Sequence, residues 1–141
     1  MRITTFLLPV LIFFISCSKD KDPDTVAKTP AQLLTQKQWA ITAAGFDDNN
    51  NGLVDPSENI LSDCQKDDIY IFNSSGNGTL KDNASTCTPT SLPDFSWKFL
   101  NGEKELQISF QRYFILKLNE QELVISPDLP LDGTFILSYR H

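Results

Sequence analysis

The sequence predicts an all-β fold, an antiparallel sandwich or barrel of about eight short strands behind one short helix. Three observations point there. Apolar and polar residues alternate with a period of two in several runs, which turns one strand face to a core and the other to water. These runs recur at roughly 8–12-residue intervals, with Gly, Asn, Asp or Pro between them. The 141 residues are 40% hydrophobic and 11% aromatic, enough for one core but too short a chain for a second full-sized domain.

Taken in order, the first element of the domain is the helix. Thr29 is a capping residue, Pro30 suits the first helical position, and Gln32 stands where a capping box places Glu or Gln. The helix must be short, because Gln38 to Ala43 already has strand character. Asp68 to Phe72 and Gly78 to Lys81 form the next two runs, joined by the turn Asn73 to Asn77. Phe95, Trp97 and Phe99 alternate with Ser96 and Lys98, and Asn101-Gly102 then marks a tight hairpin. Leu106, Ile108 and Phe110 alternate with Gln107, Ser109 and Gln111. Phe114 to Leu118 turns at Asn119-Glu120-Gln121 into Glu122 to Ile125, and Thr134 to Tyr139 makes the last strand. The aromatics, Phe110 and Phe114 included, are expected in the core.

Ahead of the domain lies an export signal. Met1-Arg2 is a short positive start, and Ile3 to Ile15 is nearly all apolar. Thirteen helical residues span about 20 Å, short of the roughly 30 Å hydrocarbon core, so residues 1–16 read as a signal peptide and not a membrane span. The run ends in Phe14-Ile15-Ser16-Cys17, which resembles a bacterial lipobox, with Phe14 where Leu is usual. Cleavage there leaves 125 residues of the 141 and makes Cys17 a lipidated N-terminus, anchored through several acyl chains. Residues 17–28 are polar and charged, a tether of at most about 35 Å. The expected location is the outer membrane of the envelope, on its periplasmic face or at the cell surface.

Cysteine usage agrees with export. Cys64 and Cys87 are the other two cysteines, and they flank the hairpin centred near Ser75-Gly76, so folding it brings both to its open end. A structural disulfide is expected. Closing that loop is worth roughly 3 kcal/mol in the chain-entropy account. A metal or redox pair would want a C-x-x-C spacing or a neighbouring histidine. The one histidine, His141, is the last residue and is expected to trail off the final strand.

Leu33-Leu34, Trp39, the run Cys64 to Phe72, Gly76-Asn77-Gly78, Cys87, Trp97 and the hairpin Leu118 to Val124 together resemble a lipocalin-like family of small secreted or lipid-anchored bacterial proteins. The resemblance extends from about Gln32 to Tyr139. It implies that residues 29–141 form a small up-and-down eight-stranded β-barrel with an N-terminal helix. It implies no defined biochemical activity.

One segment carries a chemical motif. Residues 47–58, Asp47-Asp48-Asn49-Asn50-Asn51-Gly52-Leu53-Val54-Asp55-Pro56-Ser57-Glu58, match the calcium-loop pattern D-x-[DN]-x-[DN]-G-x5-E. Calcium wants six to eight oxygens. Asp47, Asn49 and Asn51 would offer side-chain oxygens, Leu53 its carbonyl, Asp55 a direct or water-mediated contact and Glu58 both carboxylate oxygens. Gly52 permits the sharp turn, and Val54 would pack the loop onto the barrel. Trp39 to Ala44 reads as strand and Pro56 interrupts any exiting helix, so the loop is expected without the helix pair. Its role would be structural, shaping one mouth of the barrel. The plainer reading is a solvated Asn/Asp/Gly loop between the first two strands.

Other chemistries are excluded by composition. The formal net charge of −6 argues against nucleic acid. There is no nucleophile elbow, no phosphate-cradling loop and no Ser-His-Asp set, so no catalytic residues are expected and the protein reads as a non-enzyme. Three functions remain, inhibition of a secreted enzyme being the third beside the two that follow. The barrel binds a small or lipidic, hydrophobic ligand, or the lipoprotein is an interaction module that contacts a protein or glycan. The interior decides between them: a filled barrel favours the second.

Overall fold

The computed structural model describes residues 27–83, 85, 94–130 and 133–141. Helix α1 (Pro30–Thr35) starts as its capping residues dictate. Gln32 N donates to Thr29 Oγ1 at 3.2 Å while Thr29 N donates to Gln32 Oε1 at 2.9 Å. Eight strands follow: β1 (Gln38–Phe46), β2 (Ile69–Phe72), β3 (Asn77–Lys81), β4 (Asp94–Leu100), β5 (Glu105–Ile108), β6 (Gln111–Leu118), β7 (Glu122–Pro127) and β8 (Phe135–Arg140). Each pairs antiparallel with the next, and β8 returns to β1. Of the two expected architectures the chain adopts the closed up-and-down barrel, which leaves no sheet edge to aggregate.

Register carries the alternation into three dimensions. Trp39 lies opposite Tyr70, Ile41 opposite Tyr139, and Tyr113 opposite Pro127, all facing the lumen. Two bulges, between Ile41 and Ala43 and between Ile115 and Lys117, absorb one residue each. They keep Ala44 and Leu118 on the inner face where strict alternation would turn them out. On β4, Trp97 meets Phe99 edge-on at 5.7 Å and Phe72 at 5.9 Å between ring centroids.

Three expectations are corrected. The alternation of Leu106, Ile108 and Phe110 does not continue as one strand. β5 ends at Ile108, and Ser109-Phe110 is a two-residue turn in which Ser109 takes φ 52°. Phe110 is therefore fully exposed and Phe114 43% exposed, so neither belongs to the core. Across the turn the inward positions change parity, from Leu106 and Ile108 to Gln111 and Tyr113, and the apolar Phe110 at the turn imitates continued alternation. Asn101-Gly102 opens a longer turn than expected, with Leu100 opposite Glu105 and positive φ at Asn101, Gly102 and Glu103. His141 does not trail away. Its ring lies against Trp39 with centroids 3.8 Å apart, and its Nδ1 is 2.7 Å from the Gln38 carbonyl.

The two ends of the barrel differ. Where β1 starts, α1 lies across the lumen and touches β2 and β6, strands on opposite sides of the eight-strand ring. Leu34 and Trp39 are wholly buried there, and Trp39 Nε1 donates to the Leu34 carbonyl at 2.8 Å. Phe72, Leu106, Leu123 and Ile125 complete this half of the core. At the far end stand the β1–β2, β5–β6 and β7–β8 connections, and no helix crosses them among the described residues.

Candidate functional site

The lumen at that far end is not filled. One lobe of about 300 Å³ is bounded by Ile41, Leu61, Gln65, Tyr70, Tyr113 and Tyr139 among others. A second, of about 360 Å³, lies between Phe46, Pro127, Leu129, Phe135 and their neighbours. The two share Tyr113, Phe135 and Leu137 as their common wall. Their strand residues all sit on inward-facing register positions: Phe46 opposite Phe135, Ala44 opposite Leu137, and Tyr113 opposite Pro127. Cavities of this size sit at the lower end of the range for small-molecule sites.

The first lobe is distinguished by its hydroxyls. The chain has three tyrosines, and all three line it. Tyr70 and Tyr139 pack edge-to-face with centroids 5.2 Å apart. None of the described residues hydrogen-bonds any of the three hydroxyls, and none of the three is wholly shut off from solvent. Burial pushes the Tyr70 hydroxyl up to about 12, with Asp68 and Tyr113 adding to the shift. Tyr113 is raised by burial, and Tyr139 is raised well above the usual tyrosine value, by burial first and then by Tyr70 and Tyr113. All three are neutral donors at physiological pH. The sequence placed Tyr70 in the core and passed over the others as a site. The available signal was that every tyrosine of the chain stands on an inward strand position among Ile, Leu and Phe.

The 47–58 loop joins β1 to the chain before β2, as expected, and strand, not helix, enters it. Its side chains do converge. Asp47, only 6% exposed, accepts from Asn51 N at 2.9 Å and from Gly52 N at 2.8 Å. Glu58 brackets the loop, accepting from Asp48 N at 3.0 Å and Asp55 N at 2.8 Å. Asn49 Nδ2 and Asn51 Nδ2 donate to Asp55 Oδ2 at 2.8 and 3.3 Å, while their Oδ1 atoms accept from Asn51 N and Leu53 N. Asn50 and Gly52 take positive φ of 58° and 81°. The donor set is hard oxygen throughout, and each accepting oxygen has a second lone pair, so the residues fit calcium. The loop carboxylates nevertheless stand apart. The acidic side chains that gather within 4.8 Å of one another, among the described residues, are Asp67, Asp68 and Asp82.

The loop's position corrects one expectation. It does not shape the mouth; it folds back over the outer wall. A Cβ on Gly45 would lie 2.0 Å from the Glu58 carbonyl oxygen and 3.0 Å from Val54 Cγ1. Val54 therefore packs on the barrel, on the face that Gly45 shares with its partner Ile136. Ile136 is wholly buried although it faces outward. The chain then bridges β1 again at Gly45–Asn59, with Ile60 N donating to the Ala44 carbonyl at 2.8 Å.

Cys64 sits half-buried in a single 3₁₀ turn, Asp63–Gln65. The β2–β3 pairs, from Ile69–Lys81 to Phe72–Gly78, centre on Ser75. The open end continues beyond β3: Asn83 Nδ2 donates to the Asp67 carbonyl at 2.8 Å, and Ser85 N to Asp67 Oδ2 at 2.9 Å. Cys87, Cys17, the signal segment and most of the tether lie outside the described residues.

No curated protein matches the chain. A family model described as a lipocalin-like domain matches residues 35–125, well over half of the chain. The match spans β1 through most of β7; the β8 residues Phe135, Leu137 and Tyr139 that also line the lumen lie beyond it. By this match and by its closed eight-stranded barrel, the chain belongs to the lipocalin-like domain family.

Proposed function

We propose that this protein is a lipid-anchored envelope protein whose barrel holds a small ligand, without catalysing a reaction on it. The observation that carries this reading is the unfilled half of the lumen, with three tyrosine hydroxyls that have no partner among the described residues, set in mostly apolar walls. The lipocalin-like fold is a binding fold, and a ligand site in the mouth of a barrel follows from its geometry. Native mass spectrometry of freshly purified protein tests it. A retained small molecule, lost when the lumen is filled by Ala44→Phe, is the expected result. An empty lumen that also takes up no apolar dye overturns the reading.

The supporting features are proposed with it. Cys17 carries the lipid and places the barrel at the outer membrane; labelled palmitate should enter the wild type and not Cys17→Ala. Cys64 and Cys87 form the structural disulfide, supported by the β2–β3 hairpin whose pairs centre between the two in sequence. Calcium occupies the 47–58 loop, held by Asp47, Asn49, Asn51, Leu53, Asp55 and Glu58. With two neutral ligands its affinity falls in the weak range, about 10⁻⁴ to 10⁻³ M. Calorimetry with Asp47→Ala and Glu58→Ala as controls checks this, and absence of heat at millimolar calcium ends it.

A second reading, contact with a protein or glycan, is favoured by one observation. Ile60, Phe110 and Leu129 are 68%, 101% and 48% exposed, and all stand on connections at the open end. Exposed apolar residues gathered at one rim mark contact surfaces.

A further inference from the structure

We propose that the ligand is an uncharged amphiphile, seated with an oxygen-bearing head on the hydroxyls of Tyr70, Tyr113 and Tyr139 and its apolar part against Phe46, Pro127 and Leu129. This rests on the ligand-binding reading above and specifies the chemical class. The two lobes differ in kind. The first presents three phenols and the Gln65 side chain; the second is mostly apolar, bounded by Phe46, Pro127, Leu129, Phe135 and Leu137, with Gln111 as its one amide and Tyr113 at the join. A molecule filling both must be polar at one end.

Charge is what the described walls lack. Among the described residues no Lys, Arg, His, Asp or Glu lines either lobe. An anion would lose its water without gaining a counter-charge, and the neighbouring Asp68 would repel it. A cation would likewise find no carboxylate in the walls. Neutral phenols are instead donors and acceptors at once, matched to a hydroxyl or carbonyl oxygen. Size sets the rest. At a water's share of about 30 Å³, the hydroxyl lobe has room for roughly ten heavy atoms.

The test uses four ligands of one size on the folded protein: 4-butylphenol, butylbenzene, 4-butylbenzoate and 4-butylbenzylammonium, titrated at neutral pH by calorimetry. The phenol should bind tightest, and both ions at least tenfold more weakly. Tyr70→Phe and Tyr113→Phe should each weaken the phenol about five- to tenfold, the worth of one hydrogen bond, and leave butylbenzene unchanged. Leu129→Asp, on an exposed connection, should weaken both neutral compounds together. If either ion equals the phenol, or if the Phe variants weaken butylbenzene as much as the phenol, the proposed class is wrong while a ligand site survives. If none of the four binds, the ligand-binding reading itself fails.

Discussion

The two ends of this barrel are made from the same strands and the same residue types, yet one is closed and the other hollow. At the helix end, α1 lies across the lumen and Trp39 fills it, tied to the Leu34 carbonyl and covered by His141. At the far end the equivalent space is bounded by tyrosines whose hydroxyls have no described partner, and the chain that follows the outer-wall loop adds Leu61 and Gln65 to its lining without filling it. Dense packing is concentrated at one end and unfilled space at the other. A site can stay hollow because the opposite half of the core holds the barrel shut.

The comparison is broken most sharply at Trp39. Trp39→Ala removes a fully buried ring and its hydrogen bond and should cost about 3–5 kcal/mol in urea unfolding. Tyr113→Phe at the hollow end should cost far less, and equal losses would erase the distinction between the ends.

Alkaline pH probes the hollow end. Below pH 10 the tyrosines are protonated in both folded and unfolded chains. Between 10 and about 12 the unfolded chain releases its Tyr70 proton while the folded one keeps it, so stability falls as pH rises through that window. The loss from Tyr70 alone is about 2–3 kcal/mol, and Tyr70→Phe should flatten that part of the profile.

The outer-wall loop comes next. Asp47→Ala leaves the Gly52 N–H without its acceptor, takes one of two acceptors from the Asn51 N–H, and should cost about 1–3 kcal/mol. With a dissociation constant near 1 mM, about 10 mM calcium should raise wild-type stability by roughly 1.4 kcal/mol and leave Asp47→Ala unmoved. The smallest effect belongs to the plug's own cap. Thr29→Ala should cost about 0.5–1 kcal/mol, read in the same unfolding assay, and should not alter ligand affinity.

Much of the fold was legible in residue order, because its signals are local. The capping box fixed where α1 begins, alternation fixed the lumen face of β4, and the Asn73 to Asn77 turn fixed the first hairpin. What failed was local too: the pattern through Ile108 and Phe110 carried no mark of the two-residue turn within it. Of the site, the 47–58 motif was readable because its residues are contiguous, but its seat on the outer wall depends on Gly45, whose missing side chain matters only once Glu58 and Val54 arrive beside it.

The sequence by itself determined an all-β domain, its helix start, most of its strands, and one oxygen-rich loop, since each depends on neighbours within a dozen residues. Only the tertiary structure decided that Tyr70, Tyr113 and Tyr139 share one hollow. They come from β2, β6 and β8, and nothing in their own surroundings along the chain records that closing the ring brings three hydroxyls together.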